Sequence, residues 1–334
     1  MICEANGRLF GKVESSVDRE HCEAVHCEHS ASSLWSRRPA GKLCFAILSF
    51  VLGSSCFAND TFESAFVKTQ DGARIHYIHG GKASDRPAVV FIPGWTWSAS
   101  VWEKQMTHLS AARRVIAMDP RSQGDSSKMT DGNTPENRST DVEALLAQLD
   151  AGPVVLVGWS QGVQDVAAYI DRFGTTRLAG VVLVDSSLSA GSAGIDLDAK
   201  GAKLLLDRIT IYAEYPKEYL NGSIDAARSK PFSDEEKARL VALAQKTPTS
   251  TGISMLITDM FSKDRRGVVS KIDKPTLVIA SASSQELDEQ KAMARAIPRA
   301  AVVVIEDAGH AVFLDQPAAF STELTRFLDG LGRG

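Results

Sequence analysis

The sequence predicts an α/β fold: a mostly parallel sheet of eight strands, helices on both faces and a helical cap inserted after strand six. Three observations carry this. From Thr61 onward, β-branched apolar runs alternate with helix-period segments; the later runs are apolar almost throughout and rich in valine and isoleucine; and one interval between two runs is far too long for a loop. The first two expected strands, 63–69 and 73–78, flank Asp71-Gly72, which reads as a hairpin turn. Further strands are expected at 88–92, 114–118, 154–157, 181–184, 276–280 and 301–305. The later ones are continuous valine and isoleucine runs, as strands covered on both faces must be. Helical patterns fill the gaps at 101–109, 137–149, 161–172, 289–297 and 317–328. Between Ser187 and Lys274, helical periodicity (199–209 and 234–244, for example) is broken by Pro216, Pro231 and Pro248. A structureless loop of that length is foreign to a compact domain, so a helical cap is expected at about 188–272. Roofing the sheet, it would set substrate preference through apolar residues such as Met255 and Phe261.

With 44% hydrophobic and 23% charged residues among 334, the chain has the composition of a soluble globular protein. A net charge of −4 offers no basic field for polyphosphate, which argues against nucleic acid as a partner. All five cysteines fall within the first 56 residues, so whatever folds beyond them needs neither disulfide nor thiolate ligand. The chain divides there: 1–58 as N-terminal extension and signal peptide, 59–334 as the α/β domain. Arg37, Arg38 and Lys42 precede the apolar run Leu43 to Leu52, and Cys56-Phe57-Ala58 supplies a small-x-small end. The uncharged stretch contains Gly53-Ser54-Ser55 and is short for a permanent span. Cleavage after Ala58 and export, to the periplasm or the medium, are therefore expected, with no stable membrane span afterwards. Gly53-Ser54-Ser55 is also a poor lipobox ahead of Cys56. Upstream, His21, Cys22, His26, Cys27 and His29 lack a repeated CxxC pattern, so no metal site is expected. A translation start near Val25 or Leu34 would explain so long a stretch ahead of a signal.

The strongest chemical signal is Val154-Val155-Leu156-Val157-Gly158-Trp159-Ser160-Gln161-Gly162, a buried strand running into Gly-x-Ser-x-Gly and then a helix. Such a turn lifts a serine hydroxyl clear of the sheet while the glycines relieve crowding, making Ser160 the candidate nucleophile. His310, in Asp307-Ala308-Gly309-His310 after the last strand, is the candidate base: imidazole takes and returns a proton near neutral pH. His76, His79 and His108 read as structural. Phe91-Ile92-Pro93-Gly94-Trp95 after strand three can aim a backbone amide, so the N–H groups of Trp95 and Gln161 are the expected oxyanion hole. Trp97 and Trp159 are candidate linings of an apolar substrate pocket. Asp119-Pro120-Arg121-Ser122-Gln123-Gly124-Asp125-Ser126 reads as a hydrogen-bonded structural turn.

On these four motifs, taken in order, the chain resembles the α/β-hydrolase superfamily from about Phe66 to Leu328, and within it the cap-bearing esterases and haloperoxidase-like serine hydrolases. The resemblance implies acyl transfer through an acyl-enzyme, no metal or organic cofactor, and a site between sheet and cap. It implies a carboxylic ester or lactone as the small-molecule substrate, with perhydrolysis or C–C bond hydrolysis as alternatives on the same machinery. A non-catalytic ligand-binding protein is a more distant alternative. The sequence sets neither the particular substrate nor the oligomeric state. Two departures stand out. Pro93-Gly94 occupies the place of the family's usual His-Gly, and after Pro275-Thr276-Leu277-Val278-Ile279 the usual acid is replaced by Ala280-Ser281-Ala282-Ser283-Ser284. The carboxylate must then come from elsewhere. Asp185, ending Val181-Val182-Leu183-Val184 at the sheet's carboxyl edge, is the first candidate; Glu286 and Asp288 are the competitors.

Overall fold

The computed structural model describes residues 62–150 and 152–332. The expected signal peptide, its cleavage site and the histidine–cysteine stretch lie outside the described residues. The strands are β1 (Glu63–Lys68), β2 (Arg74–Gly80), β3 (Val89–Ile92), β4 (Val115–Met118), β5 (Val154–Trp159), β6 (Leu178–Val184), β7 (Thr276–Ser281) and β8 (Ala300–Ile305). They form one sheet in the order β1-β2-β4-β3-β5-β6-β7-β8. β1 pairs antiparallel with β2, and β2 with β4; every other pair is parallel. The β1–β2 pair is the hairpin with Gly72 at its turn, at φ 87°. β3, β4, β5 and β7 are buried at every residue, whereas β8, at the edge, is largely open.

Strand residues alternate between two apolar layers. Phe91, Val155, Val157 and Val184 point into one, and Val90, Ile92, Leu156 and Leu183 into the other. Helices cover both faces: α1 (Glu103–Ser110), α2 (Pro135–Gln148) and α3 (Gln161–Phe173) precede the cap. The cap follows β6 as α4 (Ala193–Leu197), α5 (Ala199–Glu214), α6 (Pro216–Ala226), α7 (Asp234–Ala244) and α8 (Thr249–Phe261). Then come α9 (Leu287–Ala296), α10 (Val312–Asp315) and α11 (Pro317–Asp329). The cap's prolines act as punctuation. Pro216 opens α6, where its missing N–H costs nothing, and Pro248 stands just ahead of α8. Side-chain caps on α5 and α7 come from Asp198 and Ser233. The segment expected as a helix from 101 begins instead with a 3₁₀ turn at Ala99–Trp102. Among the described residues, no helix is long and apolar enough to cross a membrane.

Strand register sets the site. Gly158 lies level with Ile92 on one side and Leu183 on the other, and Val184 is level with Ile279. β3, β5, β6 and β7 therefore end close together, and the residues just past them gather at one edge, where catalytic groups of such sheets collect.

Candidate active site

Ser160 sits between β5 and α3 at φ 55° and ψ −119°, a conformation an L-residue adopts only when its surroundings impose it. The flanking glycines show the constraint. A Cβ on Gly158 would lie 2.4 Å from the Gly162 carbonyl oxygen, and one on Gly162 would lie 2.5 Å from that of Ile92. Backbone presses on backbone at both positions, so only hydrogen fits. The Ser160 N–H donates to the Val184 carbonyl at 3.1 Å, tying the turn to the next strand.

Asp185 follows that strand, also with positive φ (46°), and is buried. One carboxylate oxygen accepts the Ser281 N–H at 2.8 Å; the other stands 2.8 Å from His310 Nδ1. A carboxylate can only accept, so the ring proton belongs on Nδ1 and Nε2 is left as a free base. The His310 side chain is 40% exposed against 2% for Asp185, so one face of the ring remains open to a substrate. The rival acids are elsewhere. Glu286 accepts from the Ser187 N–H and hydroxyl at 2.8 and 2.9 Å, and Asp288 lies in the first turn of α9. Among the described residues, no hydrogen bond joins Ser160 Oγ to His310; such contacts commonly tighten only when substrate is present.

The serines in place of the usual acid have a different task. The Ser281 and Ser283 hydroxyls both donate to the Ala308 carbonyl, at 2.6 and 2.8 Å, gripping the chain two residues before His310. Trp159 Nε1 donates to the His310 carbonyl at 2.9 Å. Asp315 accepts from the Gly309 N–H, the Ser229 N–H and Arg228 Nε at 2.7–2.8 Å. Burial opposes ionisation of Asp315, but the Ser229 N–H, Arg228 and the Gly309 N–H outweigh it and hold its carboxyl below the ordinary range. The cap chain also touches this loop directly, as the Ala311 N–H donates to the Ala227 carbonyl at 2.6 Å.

Expected pocket linings Trp97 and Trp159 are instead packed inside, edge to face at 5.2 Å, with Trp159 also against Phe313 at 5.0 Å. The indole N–H of Trp159 is committed to the histidine loop, which draws the ring inward. Met255 is likewise fully buried in the cap, whereas Phe261 lines a cavity of about 460 Å³ with Leu188, Leu205, Met293, Gln164 and Glu286. That cavity lies on the Ser187 side of the sheet edge, and neither Ser160 nor His310 lines it.

Trp95 follows Gly94, whose own hydrogen faces Ser160: a Cβ there would be 3.0 Å from that of the serine. Among the described residues, neither the Trp95 nor the Gln161 main-chain N–H has a partner. Gln123, inside the loop read as a structural turn, braces this segment by donating to the Gly94 and Trp97 carbonyls and accepting the Thr96 N–H. With no histidine before Gly94, the brace comes from the loop after the neighbouring strand, β4. Asp119 completes the turn, accepting from the Ala99 and Asp125 N–H groups and pairing with His76 Nδ1 at 2.8 Å. His76, Asp119 and Asp125 have the residue types of a metal site. Their ligand atoms are already engaged by one another, by backbone amides and by Lys246 on Asp125.

Behind the elbow lies a buried charge cluster that the sequence did not advertise. Arg138 on α2 donates to Asp165 on α3 and to Asp259 on α8, both at 2.7 Å. Burial pushes the Asp165 carboxyl up to about 7 despite Arg138, and raises Asp259 as well. Burial works against the Arg138 charge too, but the two carboxylates hold its pKa above the ordinary value.

The model of the alpha/beta hydrolase family matches residues 89–323, more than two thirds of the chain. The chain belongs to that family. This α/β hydrolase is 28% identical over 278 residues to the non-heme chloroperoxidase CPO-A1 of Kitasatospora aureofaciens, covering 78% of this chain and 98% of that one. It is 34% identical over 122 residues to the bifunctional esterase/perhydrolase DCH of Acinetobacter calcoaceticus, covering 36% and 44% of the two chains. The crystal structure of bromoperoxidase from Bacillus anthracis superposes with TM-score 0.71 at 26% identity, over 80% of this chain and all of that one.

Proposed function

We propose that the protein is an exported serine hydrolase of small carboxylic esters or lactones, with Ser160 as nucleophile, His310 as base and Asp185 as the carboxylate behind it. The observation that carries this reading is the 2.8 Å Asp185–His310 contact beside a strained, glycine-flanked serine. Ser160 Oγ attacks the carbonyl carbon as its proton passes to His310 Nε2, and Asp185 stabilises the imidazolium. The tetrahedral oxyanion accepts from the Trp95 and Gln161 N–H groups. Collapse expels the alcohol, which takes the proton from His310; water, deprotonated by the same nitrogen, then releases the acid. The decisive experiment is labelling with a fluorophosphonate, together with a panel of p-nitrophenyl esters and lactones. Wild type should label and turn over, and Ser160→Ala should do neither, losing about 10⁴–10⁶ in rate. Unchanged labelling of Ser160→Ala would remove the serine from its role, and an unlabelled wild type would favour a ligand-binding protein.

The names of the chloroperoxidase and esterase/perhydrolase relatives favour a second reading, perhydrolysis, in which hydrogen peroxide replaces water on the acyl-enzyme and a peracid leaves. Peroxide-dependent halogenation that vanishes in Ser160→Ala, and needs a carboxylic acid or ester, would support it. Export rests on the basic-apolar-small pattern from Arg37 to Ala58. Intact mass of the protein from its native host should show a start near Asn59, and a start at Met1 would overturn this.

A further inference from the structure

The two residues whose main-chain N–H groups would bind the oxyanion share a second property: the side chain of each is hydrogen-bonded to the same cap helix. Trp95 Nε1 donates to the Gly252 carbonyl of α8 at 2.9 Å, and Gln161 Nε2 donates to the Asp259 carboxylate of α8. Gly252 and Asp259 are seven residues apart. At 100° and 1.5 Å per residue they lie within about 20° on one helix face, separated by about 10.5 Å along the axis. One rigid element thus reaches both sides of the hole.

Both ends are fixed. At the first, the Trp95 ring is held edge-on by Tyr212 and Tyr219 from the cap, with centroids at 5.1 and 6.1 Å. Gly252 admits that packing, since a Cβ there would lie 2.8 Å from the Tyr212 hydroxyl and 3.3 Å from the indole. At the second, Asp259 is buried and anchored by Arg138, itself held by Asp165 and the Asn133 carbonyl. The Gln161 side chain runs from the elbow to that anchor, and its Oε1 is buried without a partner among the described residues. Nothing else in the site requires glutamine here, because any residue supplies the main-chain N–H.

We propose that α8 is the spacer of the oxyanion hole, with Asp259 as a positioning residue acting through Gln161, so that the seating of the cap sets the rate of acyl transfer. This rests on the serine-hydrolase reading and on Trp95 and Gln161 as the oxyanion donors. A displacement of about 1 Å at such donors can cost about a hundredfold in rate, so a cap shifted by a poorly fitting substrate lowers turnover as well as affinity.

The test uses the full chain as wild type, Asp259→Asn and Gln161→Met, with p-nitrophenyl butyrate as substrate and phenylboronic acid as the tetrahedral mimic. Rates are normalised to active sites titrated with a fluorophosphonate. Asp259→Asn and Gln161→Met should each lower kcat by about 10- to 100-fold while KM moves less than about threefold. Boronate affinity should fall by the same factor as kcat/KM. Gln161→Met leaves every charged residue in place, so it keeps the proposal exposed if Asp259→Asn does not fold. A lower Tm with kcat per titrated site within about twofold of wild type, in both variants, would reduce α8 to a structural tether and overturn the proposal. A wild type that takes no label would defeat the serine-hydrolase reading instead.

Discussion

The elbow and the histidine loop meet at one sheet edge but are held there by opposite means. Ser160 is placed by shape: two glycines packed backbone to backbone, a strained φ, and strands that cannot slide. His310 is placed by polar side chains, with Asp185 on the ring and Ser281, Ser283, Trp159 and Asp315 on the backbone of its loop. Shape tolerates no added atom, whereas a set of hydrogen bonds can be removed one at a time. The elbow should therefore fail abruptly and the loop by degrees.

The largest effect should come from the polar contact that Asp185 makes to the ring itself. Asp185→Asn should lower turnover by about 10³–10⁴-fold with folding intact, because the amide favours the wrong tautomer of His310. Glu286→Gln should stay within a fewfold of wild type, since Glu286 bonds Ser187. Turnover of both variants, with circular dichroism as the folding check, decides the point. Near-normal turnover in a folded Asp185→Asn would move the acid elsewhere.

On the side built by shape, Gly162→Ala should cost about 3 kcal/mol, the upper range for overpacking, because the new methyl meets the Ile92 and Pro93 carbonyl oxygens and neither can rotate away. Urea denaturation measures it. A loss below about 1 kcal/mol would show the turn to be softer than its contacts imply.

Asp315→Asn tests the polar side away from the ring. Replacing a buried carboxylate that accepts from Gly309, Ser229 and Arg228 should cost about 2 kcal/mol and lower turnover by about tenfold as the loop slackens. The sign with pH follows from the lowered carboxyl. Its contribution is present above the ordinary carboxylate pKa and disappears as pH falls through the lower folded value. The stability gap to Asp315→Asn should accordingly narrow in acid, and a gap constant down to pH 3 would place the stabilisation in packing.

The same contrast governs what the sequence discloses. Elbow chemistry is written in five adjacent residues, and the strands declare themselves through valine and isoleucine, so both are legible without a structure. Asp185 is legible as a strand end, yet what separates it from Glu286 is a contact across 125 positions, and position in the chain does not report that. Gln123, Ser281 and Asp315 show no sign of their task, because most of their partners are main-chain carbonyls and amides that leave no mark in the sequence. Trp97 and Trp159 invite a pocket reading as large exposed aromatics would. Trp159 is drawn in by Phe313 and the His310 carbonyl, both far along the chain, and Trp97 packs on Trp159. Arg138 was hidden for the same reason, as the carboxylates that neutralise it stand on two other helices.

That buried cluster gives the smallest predicted effect and the finest test of what a polar side is made of. Arg138 faces two carboxylates, Asp165 and Asp259, with Arg265 nearby but already paired to Glu136. Burial disfavours a second negative charge, which places Asp165 at about 7 against 3.8 for a free side chain. Between those values the folded protein binds a proton that the unfolded chain has released, so stability from this group is fully present in acid and is lost as pH rises through about 7. Asp165→Asn carries a neutral amide at every pH and removes the titration. Wild type should gain on the variant by about 1 kcal/mol between pH 7.5 and 6, within the limit of about 1.4 kcal/mol per pH unit for one proton. Urea denaturation of both proteins at the two pH values measures this. A flat difference would mean that both carboxylates stay ionised, with Arg138 and Arg265 neutralising the pair. The support behind the elbow would then be two salt bridges rather than one shared proton.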